Sequence, residues 1–214
     1  MNDKPKVLII FYTRHGNTAS MAEAEAAGAR EAGAEVTIKR LADDVPQKVL
    51  EENPEWKEKS EELEKKFPAS SVGEVVDSLP KYDAIIFGSP TRFGNMASQL
   101  KEIWDRTSDH WLNGRLIGKV GGVFTGAASV HGGQETTAVS MMFPMLHHGM
   151  IIVGVPYSVK ELFKSGSPYG PSGIVGPNAD QLEERDLKVA RAHGKRIGET
   201  ASKLVSRGQL LEAQ

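Results

Sequence analysis

The apolar positions of the chain fall into two periods. Residues 7–12 (VLIIFY) are apolar without a break, which suits a strand buried on both faces of a parallel sheet. A polar loop over 13–18 follows, and then an alanine-rich stretch over 19–32 that stops at Gly33, a good helix end. Residues 35–41 alternate and predict a second strand near an edge. A third strand is predicted over 82–88, and after it Leu100, Ile103, Trp104 and Thr107 recur at helical spacing. Residues 120–124 predict a glycine-rich fourth strand, 136–148 a helix that Pro144 should kink or interrupt, and 151–155 a fifth strand. A last helix is expected from near Asp180, with Glu183 placed for a capping box. Its stripe is Leu187, Ala190, Gly194, Ile197, Ala201 and Leu204. Strands that alternate with helices predict an α/β fold, a parallel sheet with right-handed crossovers.

Two connections are long. Residues 42–80 include a Glu/Lys-rich segment, 51–66, with Trp56, Leu63 and Phe67 in or beside it; it reads as a solvated helix laid over the sheet edge. Residues 157–178 are rich in Gly, Pro and Ser, and loops of that length are functional or mobile. The chain has 214 residues, which suits one domain over 1–214 carrying a charged insertion near 42–80 and a Gly/Pro loop near 157–178. With 26 Lys plus Arg against 28 Asp plus Glu, there is no basic excess to bind nucleic acid and no acidic field to steer an electron carrier. The absence of cysteine excludes disulfides and thiol redox centres. The first six residues lack a signal-peptide pattern, and no apolar run could span a bilayer, so a cytoplasmic protein with no membrane span is expected.

In open α/β sheets ligands bind beyond the carboxyl ends of the strands, where the strand order reverses. The loop after the first strand is Thr13-Arg14-His15-Gly16-Asn17-Thr18. It matches neither G-x-G-x-x-G nor G-x-x-x-x-G-K-[ST]. It does offer two hydroxyls, an amide, a glycine and backbone N–H groups opening a helix, which is what a phosphate requires. A plain helix cap by Asn17 or Thr18 explains it equally well. The loop after the third strand, Gly88-Ser89-Pro90-Thr91-Arg92-Phe93-Gly94-Asn95, combines a stiff turn, an apolar face and a cation. The loop after the fourth, Thr125-Gly126-Ala127-Ala128-Ser129-Val130-His131-Gly132-Gly133, is small enough to leave room for a planar ring. The adjacent His147 and His148 diverge by about 100° on a helix and cannot chelate one metal together. Met141, Met142 and Met145 read as core or interface filler, and with Phe143 they are the motive for expecting a subunit interface.

The blocks SPTRFGNMASQL, HGGQET and Leu146-His147-His148-Gly149-Met150, with the YTRHGNT loop and the SPYG of 167–170, resemble the WrbA-type NAD(P)H:quinone oxidoreductases. The resemblance runs from about Val7 to Ile197. It implies a flavodoxin-like doubly wound sheet of five parallel strands in the order 2-1-3-4-5 with helices on both faces. It also implies FMN as cofactor, NADH or NADPH as co-substrate, quinones as acceptors, and a homotetramer. Carried over by residue, Thr13, Arg14, His15, Gly16, Asn17 and Thr18 would hold the FMN phosphate. Pro90, Thr91, Arg92, Phe93 and Gly94 would border the isoalloxazine, and Gly126, Ala127, Ala128 and Ser129, with Val130 and His131 beside them, would form a third wall. His147 would reach the flavin from a neighbouring element or subunit, Trp111 would line the substrate position, and His15 would meet the nicotinamide. The implied activity is two-electron reduction of quinones to hydroquinones, by ping-pong hydride transfer through flavin N5, with no side-chain acid, base or nucleophile assigned. Two other classes share the fold: a flavodoxin-like single-electron carrier and a non-catalytic flavin-binding regulatory module.

Overall fold

The computed structural model describes residues 4–176 and 181–212, and the side chains of residues 4–206 within them. Its first strand, β1 (Lys6–Phe11), pairs in parallel with β2 (Glu35–Leu41) on one side and β4 (Ala84–Pro90) on the other. The two-residue β3 (Ala69–Ser70) extends the β2 edge, and β5 (Val120–Ala127) follows β4. With β6 (Ile151–Ile152) the order is β3-β2-β1-β4-β5-β6, and β7 (Ser172–Ile174) pairs the far end of β5. The predicted order of five strands is kept, and two short strands are added to it.

Each strand face meets its own layer. Leu8, Ile10, Tyr12, Ile85, Phe87 and Val123 face α4 (Val72–Ser78), α5 (Ser98–Asp105) and α7 (Gln134–His147). Val7, Ile9, Phe11, Ala84, Ile86 and Phe124 face α1 (Asn17–Glu31) and α8 (Glu184–Glu212). Burial on both sides is why the sequence of β1 shows no alternation. The helices α1 and α8 pack backbone to backbone: a Cβ on Gly194 would lie 2.0 Å from the Glu25 carbonyl oxygen, and one on Gly28 would lie 1.8 Å from that of Arg191.

Three expectations need correction. The fifth strand is shorter than 151–155, because the chain leaves β5 after Val153 and the Val155 amide donates to the Pro168 carbonyl at 3.0 Å. Its place beside β5 is taken by β7, which comes from the 157–178 loop. The last helix begins at Glu184 and not near Asp180, which itself lies outside the described residues. The capping carboxylate there is that of Asp186, accepting from the Glu183 amide at 3.2 Å, one turn later than the sequence suggested. Finally, Met141 and Met145 are fully buried in the core, so the exposed apolar groups of α7 are Phe143 and Leu146.

The 42–80 connection is ordered by the sheet edge. It forms α2 (Gln47–Glu52), α3 (Pro54–Lys66), β3 and α4. The helix α3 buries Leu63 in the core, and Phe67 meets Phe11 edge to face at 5.4 Å. No helix among the described residues is long and apolar enough to cross a membrane.

Candidate functional site

The strand order reverses between β1 and β4, and a cleft of about 240 Å³ opens at their carboxyl ends. Thr13, Arg14, His15, Asn17 and Thr18 line it from the loop after β1, Pro90, Thr91 and Arg92 from the end of β4, and Gly126, Ala127 and Ala128 from the end of β5. Three segments that are distant in sequence therefore converge, as parallel strands starting from one edge of a sheet require. Met21, Val175, Gly176 and Leu182 complete the wall. None of these four was singled out from the sequence. The length of the 157–178 loop was the signal for Val175 and Gly176, whereas Met21 and Leu182 read only as parts of helices.

The loop after β1 is shaped for an anion. Gly16, the residue before α1, holds φ at +94° and has no side chain of its own to cap the helix with. The Gly16 amide donates to Thr13 Oγ1 at 3.1 Å, which occupies a lone pair of that hydroxyl and leaves its proton to donate elsewhere. Thr18 is buried at the cleft wall. The amides at the positive end of a 15-residue helix favour a negative group there.

The charge beside the loop is largely committed. Arg14 donates through Nε and Nη2 to both oxygens of Asp43, at 3.1 and 3.0 Å, and Tyr12 donates to the same carboxylate at 2.8 Å. Burial pushes Asp43 up, but the bonds from Arg14 and Tyr12 outweigh it and hold the carboxyl below its ordinary range. Asp43 was not recognised from the sequence, since it sits among generic acidic residues of the connection. The pKa of His15 is lowered by burial and by the cations of Arg14 and Arg92, which favours the neutral ring, and the residue is exposed. Its ring meets Trp56 of α3 at 5.5 Å, nearly perpendicular.

Residues 92–95 form a tight turn in which Arg92 and Asn95 exchange backbone hydrogen bonds at 2.9 and 3.0 Å. Phe93 sits at its tip with φ of +54°, a left-handed conformation rare for an aromatic residue, and its side chain is wholly exposed. Gly94, also left-handed, backs onto Thr136. Neither lines the cleft. Ser129 is exposed, its carbonyl accepting from Gln134 Nε2 at 2.7 Å, and Val130 and His131 are exposed beside it.

Trp111 and His147 are elsewhere. Both α5 and α7 run back from the carboxyl edge of the sheet, and at their far ends lies a second cavity of about 380 Å³. It is lined by Trp111 of α6 (Ser108–Leu112), by His147, and by Trp104, Thr107 and His148. Thr107 Oγ1 donates to the Trp104 carbonyl, so the contact at 2.9 Å makes His148 Nε2 the donor and leaves Nδ1 unprotonated. Trp111 is 57% exposed, and Leu112, Phe143 and Leu146 surround the region with exposed apolar surface.

Comparison with known proteins agrees with this geometry. Residues 5–163 match the model of the NADPH-dependent FMN reductase family. A protein of Archaeoglobus fulgidus named NAD(P)H dehydrogenase (quinone) is 48% identical over 199 residues, 93% of this chain and 98% of its own. One of the same name from Rhizobium rhizogenes is 42% identical over 94% of this chain and 99% of its own. Among solved structures, a WrbA-like flavodoxin from Agrobacterium tumefaciens superimposes with a TM-score of 0.65 at 23% identity, covering 93% of this chain and 98% of that one. An archaeal flavodoxin does so with a TM-score of 0.59 at 19% identity, covering 92% and 98%. With its doubly wound sheet and its cleft at the strand reversal, the chain belongs to the NADPH-dependent FMN reductase family, alongside the NAD(P)H dehydrogenases (quinone).

Proposed function

We propose that the protein is an FMN-dependent NAD(P)H:quinone oxidoreductase. The observation that carries this is the make-up of one cleft: the start of α1 behind left-handed Gly16, with Thr13 and Thr18, and the small residues Gly126, Ala127 and Ala128. The first part suits a phosphate and the second a flat ring. Hydrophobic walls with a few placed donors are the usual form of a cofactor site. The relatives' names supply the reaction class. FMN, when bound, supplies hydride acceptance and donation.

The chain's own residues bind, orient and exclude water. Thr13, Thr18 and the first amides of α1 hold the phosphate. Thr91 is fixed for contact with the ring by its amide bond to the Gly126 carbonyl at 2.9 Å and by the Thr137 hydroxyl at 3.2 Å. Arg92 lies with its guanidinium 6.0 Å from the Tyr12 ring centre, close enough to the cleft to favour negative charge on a reduced cofactor. The cleft is smaller than the roughly 300 Å³ at which ligand pockets begin, so part of the ring stands outside it. The neutral His15 ring and the exposed Phe93 are placed to cover that part.

Trp111 and His147 belong to the substrate position only if a second copy brings them there. The exposed Trp111, Leu112, Phe143 and Leu146 are the surface we assign to that contact, in a homotetramer. The test of the reading is spectroscopic. Protein loaded with FMN is expected to lose its visible flavin absorbance on anaerobic NADH or NADPH and to regain it on addition of benzoquinone. Failure to bleach with either nucleotide excludes the assignment.

A further inference from the structure

Three cations border the loop after β1, and their partners differ. Arg14 is held by both oxygens of Asp43, and Arg92 donates to the Thr91 carbonyl at 3.2 Å. Lys59 approaches from the opposite side, out of α3. A Cβ built on Gly16 would lie 2.9 Å from Lys59 Cε and 3.8 Å from its Nζ. The only hydrogen bond found for that ammonium among the described residues is to the Glu62 carboxylate at 2.8 Å, an exposed pair one turn along the same helix. Exposed pairs of that kind are cheaply exchanged.

Lys59 is also held in place. The carboxyl half of α3 is fixed by buried Leu63, by Lys66 paired with Glu23 of α1 at 2.7 Å, and by Glu64 paired with Arg40. Its amino half is fixed by Trp56, which meets the His15 ring and lies 5.7 Å from the Arg14 guanidinium. Trp56 and Lys59 are three residues apart and share a helix face. The ammonium is therefore delivered by an anchored helix to the one loop residue with no side chain.

We propose that Lys59 is the charge partner of the FMN phosphate, which makes α3 part of the cofactor site; the inference rests on the FMN reading above. The loop supplies hydrogen bonds and the helix dipole, and Lys59 adds the full positive charge that Arg14, committed to Asp43, does not. On binding, the ammonium exchanges Glu62 for the phosphate. Riboflavin, which lacks the phosphate, gains nothing from Lys59.

The test is a fluorescence titration of the full-length flavin-free protein with FMN and with riboflavin, at low and high salt, for the parent, Lys59→Met and Lys59→Arg. Methionine keeps the stem over Gly16 and removes the charge. The expected result for Lys59→Met is a loss of FMN affinity of roughly three- to tenfold, a shallower salt dependence and an unchanged riboflavin affinity, with Lys59→Arg close to the parent. Equal FMN affinity in parent and Lys59→Met overturns the proposal. So does an equal loss for both flavins, which would make α3 a scaffold only. If the parent binds neither flavin, it is the FMN reading that fails, and the inference with it.

Discussion

At the scale of single residues, the loop after β1 shows how a short polar stretch can be assigned a role, here the phosphate contact we propose. Thr13, Gly16 and Thr18 are individually unremarkable, and the sequence left a plain cap open as an explanation. The structure places left-handed Gly16, which has no side chain to cap with, at the start of α1. Replacing Thr13 and Thr18 by Val removes two hydroxyls that can bond a charged group, at about 1.5–3 kcal/mol each. Flavin titration is expected to show at least a tenfold loss of FMN affinity, and unchanged affinity would return the loop to a structural role. Trp111 is distinguished by exposure. As a quinone contact its loss is worth about 0.5–1.5 kcal/mol. Trp111→Ala should therefore reduce kcat/KM for benzoquinone by roughly two- to tenfold while FMN stays bound; a loss of FMN instead would place Trp111 in the cofactor site.

At the scale of elements, what could be read from the sequence was what repeats locally. The unbroken run of β1 and the alternation of β2 carry their burial in their own residues, and the stripe of α8 does the same through Ala190, Ile197 and Ala201. The pieces β3 and β7, of two and three residues, are too short for any period and exist because a neighbouring strand offers free backbone groups. The contacts of Asp43, Trp56 and Lys59 could not be read for a related reason: they fall on residues about 30 to 45 positions away, and no local pattern marks such a contact. The same holds for the pair that locks α1 to α8. His193 and Glu25 are fully buried, 2.6 Å apart, with His193 Nε2 donating to the Val153 carbonyl at 2.9 Å. Burial pushes Glu25 up, and His193 offsets that only in part. For His193 burial acts downward, but Glu25 and Val153 outweigh it and its pKa is raised, with Arg196 opposing. A group raised in the folded state favours folding while protonated, and that contribution is lost as pH rises through the folded value. Stability should thus decline from about pH 6.5, the unfolded histidine value, upward, by at most about 1.4 kcal/mol per pH unit for one proton. Urea midpoints from pH 6 to 9 should fall in the parent and flatten in Glu25→Gln/His193→Gln; parallel profiles would contradict this. The same helix pair should not tolerate Gly194→Ala. The added methyl would meet the Glu25 carbonyl, and overpacking of that kind costs about 1–3 kcal/mol. Thermal unfolding should therefore move down by several degrees.

At the scale of the whole molecule, the site residues expected from the resemblance divide between two ends of the sheet. The cleft gathers the loops after β1, β4 and β5, whereas Trp111 and His147 flank a cavity at the far ends of α5 and α7. The sequence does not show that division, because no local pattern records to which end of the sheet a helix brings its residues. If four copies exchange these ends, light scattering should give four times the monomer mass, and Leu146→Asp with Phe143→Asp should lower it. A monomer with full quinone activity would place the substrate wholly within one chain. In the proposed reading, donor and acceptor take turns at one site. The most direct measurement is the initial rate of NADH oxidation by the FMN-loaded protein, with benzoquinone varied at several fixed NADH concentrations. Parallel double-reciprocal lines, with one hydroquinone formed for each NADH consumed, are the expected result. No NADH or NADPH oxidation in the presence of quinone, or release of a one-electron product, would contradict a two-electron quinone reductase.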